Sequence, residues 1–227
     1  MQKISIYDGE GTSPTLRPGF QSLAPRFLRA GDLVDGALDS TEVFLMPGRR
    51  DRPYHAALKG AGNAKIRSFV EKGGLYIGIC AGAYYGCKRI VFDPGFPLEV
   101  CEERELSFFP GSAIGPAYGF GTFDYRTQKG ARAALLETQE GLFHAYYHGG
   151  CYFEGDFSNC TILARYADLP GKPVAILSCP IGRGLAILSG VHIETPAQLV
   201  SNIESIFLLL EKSEQKRNSF WSKLVIN

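Results

Sequence analysis

Short apolar runs alternate with stretches of helical spacing along the first third of this chain. Residues 3–7 read as a strand, and a turn-rich segment over 8–14 follows. Residues 19–28 carry a helical pattern broken near Pro25, and Leu33-Val34 marks a short strand. Residues 42–46 form a clearer strand, stopped by Pro47-Gly48. Ile66, Phe69 and Val70 lie on one face of a helix over 64–71, which the Gly73-Gly74 pair ends. Residues 75–79 are apolar again and form a strand. Strands separated by helices predict βαβ units and a parallel sheet, an α/β fold.

The pattern then changes. Residues 91–125 are rich in proline, glycine and aromatic residues, and Phe108-Phe109-Pro110-Gly111 and Gly115-Pro116-Ala117-Tyr118-Gly119 read as turns. Strand patterns return over 143–153, 161–166, 173–178 and 184–189, spaced as antiparallel hairpins added to the sheet. Gly182-Arg183 between two of them is a hairpin turn. Thr195 and Pro196 predict the cap and first residue of a closing helix, with Leu199, Ile203, Ile206, Phe207 and Leu210 as its inward stripe. The tail from 211 to 227 is polar apart from Phe220-Trp221 and Leu224-Val225-Ile226, which dock on the body or on a partner. With no repeat or linker in view, residues 1–227 are expected to form one domain.

Composition narrows the function classes. The 227 residues are 45% hydrophobic and 21% charged with a formal net charge of +1, so no basic footprint for nucleic acid is expected. The longest apolar run, residues 206–210, is too short to cross a bilayer, so no membrane partner is expected. Residues 1–7 lack the apolar core of a secretory signal, and a cytoplasmic location is the expectation. The six cysteines have no paired metal-ligand spacing, and neither a metal nor another cofactor is called for.

One cysteine stands apart. Gly78-Ile79-Cys80-Ala81-Gly82 follows a strand and opens a helix, which is the Gly-x-nucleophile-x-Gly elbow with sulfur as nucleophile. A helix N-terminus favours negative charge beside it. A thiol nucleophile needs a base, and the base needs an orienting acceptor. Among four histidines, His192 has the context for this: a strand ends at Gly190, and His192-Ile193-Glu194 follows at its carboxyl end. Cys80 as nucleophile, His192 as base and then acid, and Glu194 as orienting carboxylate form the candidate triad.

These residues resemble the Cys-His-Glu triad of class I glutamine amidotransferase domains. Further motifs are similar to a narrower group, the amidotransferase-like domain at the N-terminus of some biotin–protein ligases, which also exists in stand-alone form. They are Tyr7-Asp8-Gly9-Glu10-Gly11-Thr12-Ser13, Met46-Pro47-Gly48 with Pro53-Tyr54, Phe108 to Ala113, Tyr146-Tyr147-His148-Gly149-Gly150-Cys151 and Ser189 to Glu194. The resemblance implies a flavodoxin-like three-layer sandwich with a mainly parallel central sheet. It implies a small amide or acyl substrate attacked through a thioester, which water or another nucleophile then releases, and a partner protein that accepts the ammonia. Biotin transfer is not expected.

Oxyanion donors are required next. Ala81 N–H is one candidate, and Gly48 or Arg49 in the loop after residue 46 supplies the second. Amidotransferases carry a glycine pair in this loop, whereas this chain has Gly48-Arg49. Arginine takes a positive φ at a cost that glycine escapes. Either the loop is reshaped or the arginines reach an acidic ligand; the plainer alternative is that they are solvated and pair with Asp51. His148, Gly149, Cys151 and Tyr118 are candidate substrate contacts, with turn geometry and thiol packing as the alternative. A non-catalytic ligand-binding module on the same scaffold is the competing function.

Overall fold

The computed structural model describes residues 3–13, 20 and 23–225. Two arrays of strands meet in one sheet. The parallel part joins β1 (Ile4–Tyr7), β2 (Arg26–Leu28), β3 (Val43–Met46), β4 (Leu75–Ile79) and β13 (Gly184–Ser189) in the order β2-β1-β3-β4-β13. Helices α1 (Ala30–Val34), α2 (Asp51–Leu58), α3 (Ala61–Glu71) and α4 (Ala81–Gly86) connect its early strands. The sheet continues through β12 (Val174–Ile181), β10 (Tyr152–Glu154), β7 (Phe109–Gly115), β5 (Cys87–Phe92) and β6 (Val100–Glu103), mostly antiparallel. Strands β8 (Arg132–Thr138), β9 (Gly141–Tyr147) and β11 (Thr161–Tyr166) form an antiparallel branch off β12.

Strands β1, β3 and β4 are buried on both faces, as parallel strands between helical layers must be. Alternation divides their side chains between two cores. Phe44, Met46 and Tyr76 join Tyr54, Leu58, Ile66 and Phe69 of the helices on one face. Val43, Leu45 and Ile77 face the other, where α6 (Glu214–Val225) contributes Phe220, Leu224 and Val225. The result is a flavodoxin-like α/β sandwich.

Several local expectations change. The helix expected over 19–28 ends in a strand instead, because β2 pairs with β1 in parallel; residues 14–19, 21 and 22 of that region lie outside the described residues. Leu33 and Val34 close α1 rather than forming a strand. Phe109-Pro110-Gly111 is not a turn but the start of β7. The β5–β7 register shifts between Cys87/Phe109 and Arg89/Ser112, and this bulge accommodates a proline that has no N–H to donate. The closing helix starts late. Pro196 is extended (ψ 147°), residues 197–200 make one 3-10 turn, and α5 (Glu204–Lys212) begins only after it. Ile206 and Leu210 point inward as expected, while Leu199 is exposed. The tail docks on the body, with Phe220 against Phe143 at 5.3 Å; residues 226 and 227 lie outside the described residues.

Candidate active site

The elbow forms where β4 meets α4. Cys80 has φ 50° and ψ −106°, a left-handed conformation costing about 1–3 kcal/mol for a residue with a Cβ. Its neighbours must be glycine. A Cβ on Gly78 would run into the Gly82 carbonyl, and one on Gly82 into the Met46 carbonyl. Cys80 N–H donates to the Ser189 carbonyl at 2.8 Å, and Gly82 N–H to the Pro47 carbonyl at 3.1 Å. The elbow is thus tied to both neighbouring strand ends.

The loop after β3 is held against it. The buried Tyr54 hydroxyl donates to the Pro47 and Gly48 carbonyls at 3.0 and 3.2 Å. A Cβ placed on Gly48 would lie 2.5 Å from His192 Cε1 and 3.2 Å from Cys80 Cβ, so only glycine lets the three approach. Arg49 follows with φ 123°, and Arg50 N–H donates to the Gly11 carbonyl at 3.2 Å. The loop therefore keeps a glycine-like backbone although an arginine occupies it. As the first residue of α4, Ala81 has an N–H without a partner inside the helix. A crevice of about 20 Å³, room for about one water, lies against Cys80, Ala81 and Arg49.

His192 N–H donates to the Tyr146 carbonyl at 2.8 Å, which fixes the segment beyond β13 against the end of β9. Its Nδ1 lies 2.9 Å from Glu194 Oε1. Burial works against a charged imidazole here, but Glu194 and the neighbouring Cys80 outweigh it and push His192 up to about 10. The second carboxylate oxygen, Oε2, is buried without a hydrogen-bond partner among the described residues. Cys80, His192 and Glu194 are thus together, as are Ala81, Gly48 and Arg49 around the sulfur-bearing residue.

The expected substrate contacts divide. The His148 carbonyl sits 3.8 Å from Cys80 Sγ, and its ring bonds the Lys129 carbonyl at 3.1 Å through Nε2. Burial holds this imidazole below its usual range. Gly149, at φ 75°, accepts the Tyr84 hydroxyl at 3.2 Å. Cys151 is wholly buried, its thiol pushed up by burial, and it does not line the cavity above Cys80. Tyr118 also lies away from that cavity: its hydroxyl bonds Asp168 at 2.8 Å, and its ring lies under the Arg132 guanidinium at 4.1 Å.

The cavity itself measures about 500 Å³, within the usual range for small-molecule sites. Gly48, Arg49, Cys80, His148, His192 and Glu194 line it. Tyr125, Arg126, Thr127 and Gln128 line it as well. Nothing in the local pattern of 122–129 marks that loop, so the sequence alone does not point to it. Tyr54 and Tyr146, which hold the Gly48 loop and His192, lie in the quoted motifs, where their type and spacing assign them no role. No group of three His, Cys, Asp or Glu residues placed to hold a metal occurs among the described residues, and no helix there is long and apolar enough to cross a membrane.

Known proteins resemble this chain at three levels. Residues 35–227 match the family described as biotin-protein ligase, N terminal. An uncharacterized protein of Chlamydia muridarum (strain MoPn / Nigg) is 43% identical over 86% of this chain and 81% of its own length. A biotin–protein ligase of Schizosaccharomyces pombe (strain 972 / ATCC 24843) is 35% identical over 86% of this chain, but that match spans only 34% of the yeast protein. In fold, a crystal structure of glutamine amidotransferase is similar with a TM-score of 0.62 at 18% identity, over 89% of this chain and 98% of that one.

Proposed function

The chain belongs to the biotin-protein ligase N-terminal family, and from that premise we propose that it is a cysteine-dependent amide hydrolase of the amidotransferase type. Cys80 Sγ attacks the carbonyl carbon of a small amide or acyl substrate. The oxyanion develops toward the N–H of Ala81 and of Gly48 or Arg49. His192 gives its proton to the leaving nitrogen, the C–N bond breaks, and a thioester remains on Cys80. Water then attacks the thioester and gives a proton to His192, the C–S bond breaks, and the acid product leaves with the Cys80 thiolate and protonated His192 restored. Glu194 orients the imidazole through Nδ1. The released ammonia or amine passes to solvent or to an acceptor protein. Biotin ligation is assigned to none of these residues.

The observation that carries this reading is the approach of three strand ends: Gly48, Cys80 and His192 meet at distances only a glycine permits, with the Nδ1–Glu194 bond of 2.9 Å behind them. Alkylation by iodoacetamide between pH 5 and 9 tests it. Cys80 is expected to react at pH 6 at least roughly ten times faster than free cysteine, the rate of a thiol activated by its surroundings. Cys80→Ser removes the modified peptide. Reaction at the rate of free cysteine across the range would refute the catalytic reading.

A second reading is a non-catalytic ligand-binding module. It is favoured by Arg49, which places a long side chain at φ 123° in the loop expected to supply an oxyanion donor. Saturable ligand binding with no turnover and no enhanced Cys80 alkylation would decide for it.

A further inference from the structure

Two arginines at the cavity, Arg49 and Arg126, are without an ion-pair partner among the described residues. Several acids have other partners. Asp51 is bound by the buried Arg104 at 2.6 Å, and Glu102 by Arg52 at 2.8 Å. Asp124 turns Oδ1 to the backbone N–H groups of Arg126 and Thr127 at 2.6 and 3.1 Å. Glu194 is occupied by His192 at 2.9 Å. His148, held low by burial, adds no charge at neutral pH. The cavity therefore carries two guanidinium groups that no carboxylate pairs directly among the described residues.

Arg49 carries a second signal. At φ 123° a glycine would be unstrained, and an arginine is not. Backbone strain at a cavity wall marks a place where the side chain itself is used. A guanidinium offers a planar fork of donors that suits a carboxylate or a phosphate. Tyr125, Tyr146 and Leu199 also line the cavity and add aromatic and apolar surface to it.

We propose that this cavity takes a small acyl or amide substrate bearing an anionic group, a carboxylate or a phosphate, held by Arg49 and Arg126 while its carbonyl faces Cys80. The proposal rests on the reading of Cys80 as nucleophile for its last clause only. Anion recognition itself needs the arginines and the cavity.

Calorimetric titration of the full chain carrying Cys80→Ser, at constant ionic strength, separates the two. The probes are glutarate and inorganic phosphate, which distinguish the two anion sources, with glutaramide as the neutral analogue. Glutarate or phosphate is expected to bind saturably and roughly ten times more tightly than glutaramide. Arg49→Gln and Arg126→Gln, added singly, are each expected to weaken the anion roughly ten-fold while leaving glutaramide unchanged. Arg49→Gln removes the charge and keeps the backbone strain at that position, so a fold effect would show as a change for glutaramide as well. Equal binding of glutarate and glutaramide, or anion binding indifferent to both substitutions, would overturn the proposal. Anion binding without enhanced Cys80 alkylation in the unsubstituted chain would sink the catalytic reading and leave this one standing; enhanced alkylation without anion binding would do the reverse.

Discussion

Cys80 and Cys151 look alike in sequence and differ in almost everything else. Both are buried, and both sit beside glycines that let backbone pass close. Around Cys80 the glycines permit a left-handed turn that lifts the residue out of β4 toward His192. Around Cys151 they permit two chains to cross: a Cβ on Gly150 would run into the Gly190 carbonyl, and one on Gly190 into the Cys151 carbonyl. The Cys151 carbonyl also accepts the Tyr166 hydroxyl at 2.7 Å. Burial raises the Cys151 thiol, whereas the environment of Cys80 contains an imidazole and a cavity. The same residue type beside the same small neighbours thus becomes a packing element in one case and a candidate nucleophile in the other. Backbone conformation and a titratable partner make the difference.

Substituting the two cysteines separately is the strongest way to break this contrast. Cys80→Ser is expected to abolish fast alkylation at pH 6, whereas Cys151→Ser leaves its rate unchanged and lowers stability by about 1 kcal/mol. Peptide mass mapping after a short iodoacetamide pulse reads both. Fast labelling at Cys151 would erase the distinction. Next in size is His192→Ala, expected to slow Cys80 alkylation at pH 7 roughly 100-fold, the scale of a lost acid–base partner. Stopped-flow alkylation measures this, and an unchanged rate would separate His192 from the chemistry.

The glycines give a finer test, because their roles are predicted to be opposite. Gly150→Ala meets backbone, so unfolding in urea is expected to show a loss of about 3 kcal/mol or more. Gly48→Ala meets the His192 ring, which can swing away. It is expected to cost less stability than Gly150→Ala and to slow Cys80 alkylation by roughly ten-fold through the displaced imidazole. If both variants lose only stability, Gly48 is a packing glycine like Gly150.

What is legible in the sequence follows the range of the interactions. The elbow, the paired His192 and Glu194, and the strands β1, β3 and β4 are local patterns with a fixed period, and the chain displays them directly. The β2 strand is hidden, because its conformation is dictated by parallel pairing with β1 and not by its own apolar spacing. Phe109 to Gly111 read as a turn because proline and glycine usually mean one, whereas a bulge in the middle of the sheet absorbs them. Cys151 and Tyr118 invite a place near the substrate, the first through its closeness in sequence to His148, the second through its glycine-rich turn. A single residue's step along the chain reverses which side of the backbone faces the cavity. Arg126 carries no local signal at all, because its loop reaches the site only through tertiary folding.

The pH dependence of stability tests the His192 environment directly. His192 is raised to about 10 from an ordinary value of 6.5. The folded chain then holds a proton that the unfolded chain releases, so the stabilisation is complete below pH 6.5 and declines as pH rises toward 10. Urea unfolding between pH 6 and 10 is expected to show this decline, at up to about 1.4 kcal/mol per pH unit, and His192→Gln is expected to flatten it. An equal slope in the variant would assign the decline to other groups.

The smallest effect is expected at Arg49, and it bears on why an arginine sits where a glycine would be unstrained. Arg49→Gly relieves a left-handed residue, and thermal unfolding is expected to show a gain of about 1 kcal/mol. The gain is modest because the flexible glycine also loosens the unfolded chain, which partly offsets the relief. Cys80 alkylation by neutral iodoacetamide is expected to stay within about two-fold, since the backbone already has the conformation a glycine adopts there. Alkylation by iodoacetate is the sensitive comparison: a negatively charged reagent approaches a cavity that has lost one of its two arginines, so its rate is expected to fall by several-fold at low salt. A variant that is more stable and selectively slower with iodoacetate makes Arg49 a residue kept for charge at the expense of backbone strain. If instead both reagents react unchanged, the guanidinium faces solvent and the strain at position 49 has no counterpart in the site.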